Sequence, residues 1–118
     1  MIAAPPLVLA RLGGWSLAAA IVVLSVVPAT LRPETGLPHN LEHFAIYWAT
    51  GIAFALGYSL TPLLATVLVI FSGAVEILQL FIPGRHARLS DFIVDGLASV
   101  IGLITVSLVT QMRNRTRA

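Results

Sequence analysis

The 118-residue chain contains no cysteine and no lysine, and only 10% of its residues are charged. Without cysteine the chain can form neither disulfides nor thiolate metal sites, and it has no cysteine nucleophile. Without lysine it cannot use Schiff-base chemistry or a lysine as general base. A soluble domain of this length needs more charged surface than this composition supplies. These absences argue against an ordinary soluble protein.

Apolar residues dominate the chain. Hydrophobic residues make up 58% of it and the mean hydropathy is +0.94, which predicts a single-domain integral membrane protein. Four segments approach the roughly 20 apolar residues that a spanning helix needs. They cover about residues 8–27, 41–60, 63–82 and 91–109. We therefore predict one all-α domain over residues 1–118, a four-helix transmembrane bundle made of two helical hairpins.

The first segment has a second interpretation as a cleaved secretory signal, in which Arg11 is the charged region. Its apolar run is longer than such signals usually have. The sequence Val-Val-Pro-Ala-Thr at residues 26–30 also lacks a clean small-x-small cleavage site. We therefore predict a retained helix.

Arginine placement predicts the orientation of the bundle, because cytoplasmic loops carry an excess of basic residues. With four spans, both termini and the Thr61-Pro62 turn lie on one side of the membrane. That side holds no acid and four arginines, namely Arg11, Arg113, Arg115 and Arg117. We predict cytoplasmic termini in the inner membrane, with the acidic residues at the extracytoplasmic face. The basic tail then faces the bilayer surface, and we expect membrane lipid and no nucleic acid as a partner.

Small residues indicate where helices can pack closely. Ala45, Ala49, Ala53 and Gly57 recur at every fourth position of the second segment, a pattern that lets another helix backbone approach. Gly102 in the fourth segment is a further candidate for such a contact.

Polar residues gather at the helix ends nearest the acidic face. Polar residues three or four apart share a face of their helix. Because these groups lie at helix ends nearest the same membrane surface, three helices bring polar side chains to one level of the bilayer. The candidate ligand-binding residues are Glu42, His43, Tyr47, Glu76, Gln79, Arg85, Asp91 and Asp95. Capping of a helix start explains Glu42 and Asp91 about equally well. For His43, a structural role as a hydrogen-bonded histidine packed between helices is about as good an explanation as a functional role.

Glu76 is the strongest functional candidate of this set. It lies near the C-terminus of its predicted helix, where the helix dipole disfavours an anion, and inside the predicted membrane edge. It therefore needs a partner or a proton. Arg85 in the following loop is a candidate partner. Arg85 has two possible roles. It can form a salt bridge with Glu76, which is a structural role, or it can bind a phosphate group of a ligand.

The set also contains oxygen and imidazole groups of the kind that zinc or manganese accepts. However, no His-Glu-x-x-His or comparable spacing occurs, and the ligands would come from separate helices. We expect no metal and no cofactor. Ser90 has His86 and Asp91 nearby but lacks the elbow motif of a serine nucleophile.

Two polar stretches carry motifs. In residues 40–47 a histidine is followed by an aromatic residue and, one turn on, by a tyrosine. In residues 76–91 a Glu-x-x-Gln pair is followed by Pro-Gly-Arg and then by Ser90-Asp91. Both stretches resemble motifs of the VanZ-like family of small membrane proteins, and the resemblance covers residues 40–103. Asp95 stands where that family's pattern leads us to expect asparagine. The resemblance implies a cell-envelope protein that influences susceptibility to glycopeptide antibiotics such as teicoplanin.

Three functions are compatible with these patterns. The lead hypothesis is that the extracytoplasmic polar residues bind a lipid-linked or amphipathic molecule of the cell envelope. The first alternative is a membrane-embedded hydrolase or transferase in which Glu76 and His43 act as acid and base. The second alternative is a scaffold or interaction protein whose polar residues only fasten the helices.

Overall fold

The computed structural model describes residues 4–27, 36, 39–58, 61–82 and 89–117 of the chain. Within these ranges the backbone forms no strand and four α-helices, which are α1 (Ala4–Val26), α2 (His39–Gly57), α3 (Pro62–Gln79) and α4 (Leu89–Arg117). The predicted all-α architecture is confirmed for the described residues.

Three of the helices are long and apolar enough to cross a membrane, namely α1, α3 and α4. Three such helices in one chain indicate a multi-pass membrane protein. The 19-residue helix α2 is not among them. Two histidines, an asparagine and a glutamate occupy four of its first five positions, which lowers its hydropathy.

Local sequence signals explain both ends of α3. Thr61 is extended and its hydroxyl accepts a hydrogen bond from the Leu64 backbone N–H at 3.2 Å, while Pro62 occupies the first helical turn. After Gln79 the backbone N–H groups of residues 80–82 bond to carbonyls three residues earlier. The helix thus tightens just before Pro83, which has no N–H to continue it. It ends three residues before the predicted boundary.

Helix α4 is longer than the sequence pattern predicts. It continues to Arg117, whereas the apolar segment ends near residue 109. Residues 110–117 contain neither proline nor glycine, so nothing in the sequence stops the helix where its hydropathy falls. The resulting helix of 29 residues is about 43 Å long at 1.5 Å per residue.

The four helices surround a common core in the cyclic order α1, α2, α4, α3. α2 packs most extensively on α4 and next on α1, whereas α3 packs on α4 and only lightly on α1. The bundle is therefore most open between α1 and α3. One cluster of the core is entirely apolar and consists of Ala18, Phe54, Ala55, Leu68, Leu103 and Val106.

Two glycines permit the close crossing of α2 and α4. A Cβ added to Gly102 would lie 2.5 Å from the Trp48 carbonyl oxygen and 2.9 Å from the Ile52 nitrogen. Gly51 on the other helix abuts the backbone of Ser99 in the same way. Neither position has room for a side chain, so the two backbones themselves form the contact.

The predicted small-residue ladder contributes less to close helix packing than Gly51 and Gly102 do. Ala45 is exposed, and Ala49 and Ala53 are only half-buried. Its last member, Gly57, is buried against α1, where an added Cβ would lie 2.8 Å from the Arg11 Cγ atom. The closest approach of α4 therefore occurs at Gly51, on a different face of α2.

Substitution of Gly102 by alanine tests the close crossing. We expect Gly102→Ala to lower the free energy of unfolding by about 1–3 kcal/mol, because the added methyl group must push the α2 backbone away. Gly13→Ala is a matched control, since nothing lies within 4 Å of a Cβ at that position. Unfolding in mild detergent, followed by circular dichroism, measures both. Equal stability of the two variants would contradict the prediction.

Candidate functional site

One end of the bundle buries polar side chains instead of apolar ones. It is formed by the start of α2, the end of α3 and the start of α4, and we call it the polar end. Seven of the eight predicted site residues are described, and all of them lie at this end. The buried ones are Tyr47, Glu76, Gln79, Asp91 and Asp95, and the half-buried ones are Glu42 and His43. Arg85, and His86 beside it, lie outside the described residues.

A hydrogen bond at the polar end joins α2 to α4. His43 Nδ1 donates to Asp95 Oδ1 at 2.9 Å, and Asp95 has an exposed fraction of 0%. With Nδ1 as donor, the basic lone pair of a neutral imidazole is on Nε2. A buried carboxylate that fixes the tautomer and orientation of a histidine is a common feature of binding and catalytic sites.

Tyr47 places a phenol beside this pair. Its ring stacks on His43 at a centroid distance of 6.4 Å and an angle of 21°, and Phe71 is a second aromatic neighbour. Within the part of the chain that the structure describes, the Tyr47 hydroxyl and Asp95 Oδ2 are buried and have no hydrogen-bond partner. An unsatisfied buried polar atom costs about 1–3 kcal/mol. Both atoms are therefore suited to hydrogen-bond an added polar group.

Glu76 lies in the same region as Tyr47 and Asp95. It is 6% exposed near the end of α3, and the Tyr47 hydroxyl is within electrostatic range of both carboxylates. Glu76 also interacts with a further group. Three helices thus bring two carboxylates, an imidazole and a phenol together.

The hydrogen bond between His43 and Asp95 was not predicted from the sequence. The sequence pattern suggested Glu76 as the acid–base partner of His43 and did not anticipate the hydrogen bond to Asp95. This pairing depends on the rotation and spacing of α2 against α4, which no local pattern encodes. Asp91 lies one turn before Asp95, in the first turn of α4, where the helix dipole favours an anion.

Three buried hydroxyls extend the polar layer toward the apolar core. Thr50, Ser72 and Ser99 are each at most 1% exposed, and each donates to a backbone carbonyl three or four residues earlier, at 2.7–3.1 Å. These hydroxyls are satisfied within their own helices, so they have a structural role. Thr50 was not among the predicted residues, although its position three residues after Tyr47 puts it on the same face.

Comparisons with models of known families, with curated proteins and with solved structures find no match for this chain. Among the described residues, no group of three or more His, Asp or Glu side chains is arranged to hold a metal ion. The polar end combines a buried proton acceptor, an oriented histidine and two unsatisfied polar atoms. This arrangement is suited to hydrogen-bonding an amine or hydroxyl group.

A double-mutant cycle tests the contribution of the pair between His43 and Asp95. For His43→Ala and Asp95→Ala we expect a coupling free energy of about 1.5–3 kcal/mol, the range of hydrogen bonds to charged groups. The control cycle uses Trp48→Phe and Thr105→Val. That hydrogen bond also joins α2 to α4, but it is exposed and 3.3 Å long. Its coupling should stay below about 1 kcal/mol.

Unfolding in detergent measures all the variants of both cycles. Coupling in the His43 cycle no larger than in the control cycle would contradict a specific buried pair.

Proposed function

We propose that this chain binds the polar head of a lipid-linked or amphipathic envelope molecule at the polar end of the bundle. One observation carries the proposal, which is that the Tyr47 hydroxyl and Asp95 Oδ2 are buried without a partner among the described residues. Asp95 Oδ2 can accept from an amine or hydroxyl of the ligand, and the phenol can donate or accept. The ligand's tail would remain in the bilayer.

The resemblance of residues 40–47 and 76–91 to VanZ-like motifs supports the same proposal. In both stretches the motif residues that carry chemistry, His43, Tyr47, Glu76, Gln79 and Asp91, lie at the polar end. A family motif and a buried polar cluster therefore coincide. On this basis we place the protein in the cell envelope and propose that it influences susceptibility to glycopeptide antibiotics.

Four membrane spans fit this site best. α2 packs on both α1 and α4, so a fourth span would lie between these two apolar helices. Its polar first turn would then lie at the membrane surface, where charged groups are tolerated. Following the arginine distribution, we place the polar end at the extracytoplasmic face of the inner membrane and both termini in the cytoplasm.

Thiol labelling tests this orientation, because the chain has no natural cysteine. Ser90 and Thr116 are exposed at opposite ends of α4. Replacement by cysteine exchanges the hydroxyl for a thiol at Ser90 and also removes a methyl group at Thr116. A membrane-impermeant maleimide added to intact spheroplasts should label Ser90→Cys, whereas Thr116→Cys should react only after permeabilisation. The reverse labelling pattern would place the site in the cytoplasm.

Binding is tested with a radiolabelled lipid-linked sugar and the purified protein in detergent. We expect Tyr47→Phe and Asp95→Asn each to weaken retention by about tenfold, since each removes a hydrogen bond that the ligand makes in a buried site. Thr105→Val, which alters an exposed hydroxyl far from the polar end, is the control. In cells, Glu76→Ala and Asp91→Ala should also change glycopeptide sensitivity.

Two results would contradict this proposal. If all four site variants kept wild-type retention and wild-type sensitivity, the polar end would bind no such ligand. If Glu76→Gln only reduced the yield of folded protein, with no further phenotype, the polar residues would be those of a scaffold.

A hydrolase or transferase is the second candidate function, and the hydrogen bond from His43 to Asp95 favours it. With its Nδ1–H held by a carboxylate, His43 has Nε2 as its basic nitrogen, and Glu76 at the same end of the bundle would be the second acid–base group. The same radiolabelled lipid-linked sugar distinguishes the two functions. Appearance of a labelled product that is lost in His43→Ala indicates turnover, whereas retention without product indicates a binding protein.

A further inference from the structure

The end of the bundle opposite the polar end carries an arginine packed on an aromatic ring. Arg11 Nε donates to the Gly57 carbonyl at 2.7 Å, and the guanidinium carbon lies 4.6 Å from the centroid of the Tyr58 ring. Trp15 Nε1 donates to the Tyr58 hydroxyl at 2.9 Å. We call Arg11, Trp15 and Tyr58 the arginine–aromatic cluster. These contacts fix the arginine at the C-terminus of α2, where a cation is favoured.

Arg11 has no acidic partner in the described part of the chain. The described acids, Glu42, Glu76, Asp91 and Asp95, belong to the other end of the bundle. Nε is used by Gly57, and the two Nη groups have no partner among the described residues. Arg11 is exposed and lies within the part of α1 that is apolar enough to cross a membrane.

A cation at this depth needs an anion from its surroundings. A long arginine side chain near the end of a spanning helix can extend toward the surface, so the guanidinium can reach the level of the lipid phosphates. Guanidinium groups bind phosphate oxygens in a bidentate way. Trp15 and Tyr58 beside it are of the two residue types that are enriched at the membrane interface.

An apolar cleft of about 440 Å³ starts at the same cluster. Trp15 and Tyr58 belong to its lining, and the rest of the wall comes from α1, α2 and α3, including Ala18, Phe54, Leu64 and Val67. Its volume is within the roughly 300–1,000 Å³ typical of small-molecule sites. Because α1 and α3 pack only lightly on each other, the cleft is on the most open side of the bundle.

We propose that Arg11 and this cleft form a binding site for an anionic phospholipid of the bilayer. The phosphate binds the guanidinium, and one acyl chain lies in the cleft between α1 and α3. The charge of Arg11 and the apolar lining match the two parts of such a lipid. Because the site is at the opposite end from the residues of the proposed function, loss of either site leaves the other in place.

Tryptophan quenching by brominated lipids tests the site, because Trp15 belongs to the cleft wall. Trp48→Phe removes the only other tryptophan. The protein is reconstituted into vesicles that contain either brominated phosphatidylglycerol or brominated phosphatidylcholine at equal mole fraction. We expect the anionic lipid to bind near Trp15 about fivefold more tightly, which corresponds to about 1 kcal/mol per arginine at a membrane surface.

Matched variants separate a specific site from general attraction. Arg11→Gln should abolish the preference for the anionic lipid, and Arg11→Lys should keep most of it, since lysine retains the charge. Arg113→Gln removes an exposed arginine from α4 and should leave the preference unchanged. Val67→Phe places a ring in the cleft and should reduce quenching by the anionic lipid at least twofold. Circular dichroism and size-exclusion chromatography confirm that each variant is folded.

Several outcomes would overturn the proposal. Equal quenching by the two lipids shows that Arg11 selects no anion. A loss of preference in Arg113→Gln as large as in Arg11→Gln shows that the basic tail attracts the lipid. Unchanged quenching in Val67→Phe shows that no acyl chain occupies the cleft. Protection of Trp15 from both lipids shows that a second copy of the chain covers it.

Discussion

The burial of Asp95 between α2 and α4 is the constraint on which the rest of the structure depends. A carboxylate with no exposure to solvent is destabilising by several kcal/mol unless a hydrogen-bonded partner compensates for the lost hydration. His43 is that partner at 2.9 Å, and it can reach Asp95 only because Gly51 and Gly102 let the two backbones cross closely. The glycines, the histidine and the aspartate therefore form one unit.

The bundle also separates its described charges by sign and its core by polarity. Carboxylates and the histidine lie at one end, over a layer of hydroxyls that bond within their own helices. The middle of the core contains Ile21, Val75 and Ala98, and the far end is apolar up to Arg11. Each end of the bundle thus offers a different chemistry. An amphipathic ligand could use either end without entering the middle.

The sequence predicts the helices and the position of the polar end well, because both follow from where apolar runs start and stop. It predicts the contacts poorly. The partner of His43 depends on how α2 is rotated against α4. The predicted small-residue ladder that starts at Ala45 lies on a different face of α2 from Gly51, where the closest contact with α4 occurs. Arg11 was informative only about orientation, since its contact with the Gly57 carbonyl joins residues 46 positions apart. The cleft results from the light packing of α1 on α3, which has no local signature.

The length of α4 has a consequence for how deep the protein sits in a membrane. Asp91 near its start and Arg113 near its end are about 33 Å apart at 1.5 Å per residue, close to the roughly 30 Å thickness of a hydrocarbon core. Charged side chains are costly to place in hydrocarbon, so these two residues would fix the position of α4 along the membrane normal. In a thicker bilayer the polar end would be drawn below the surface or the membrane would thin around it. Access of water to Asp95 should therefore depend on the lipid composition of the membrane.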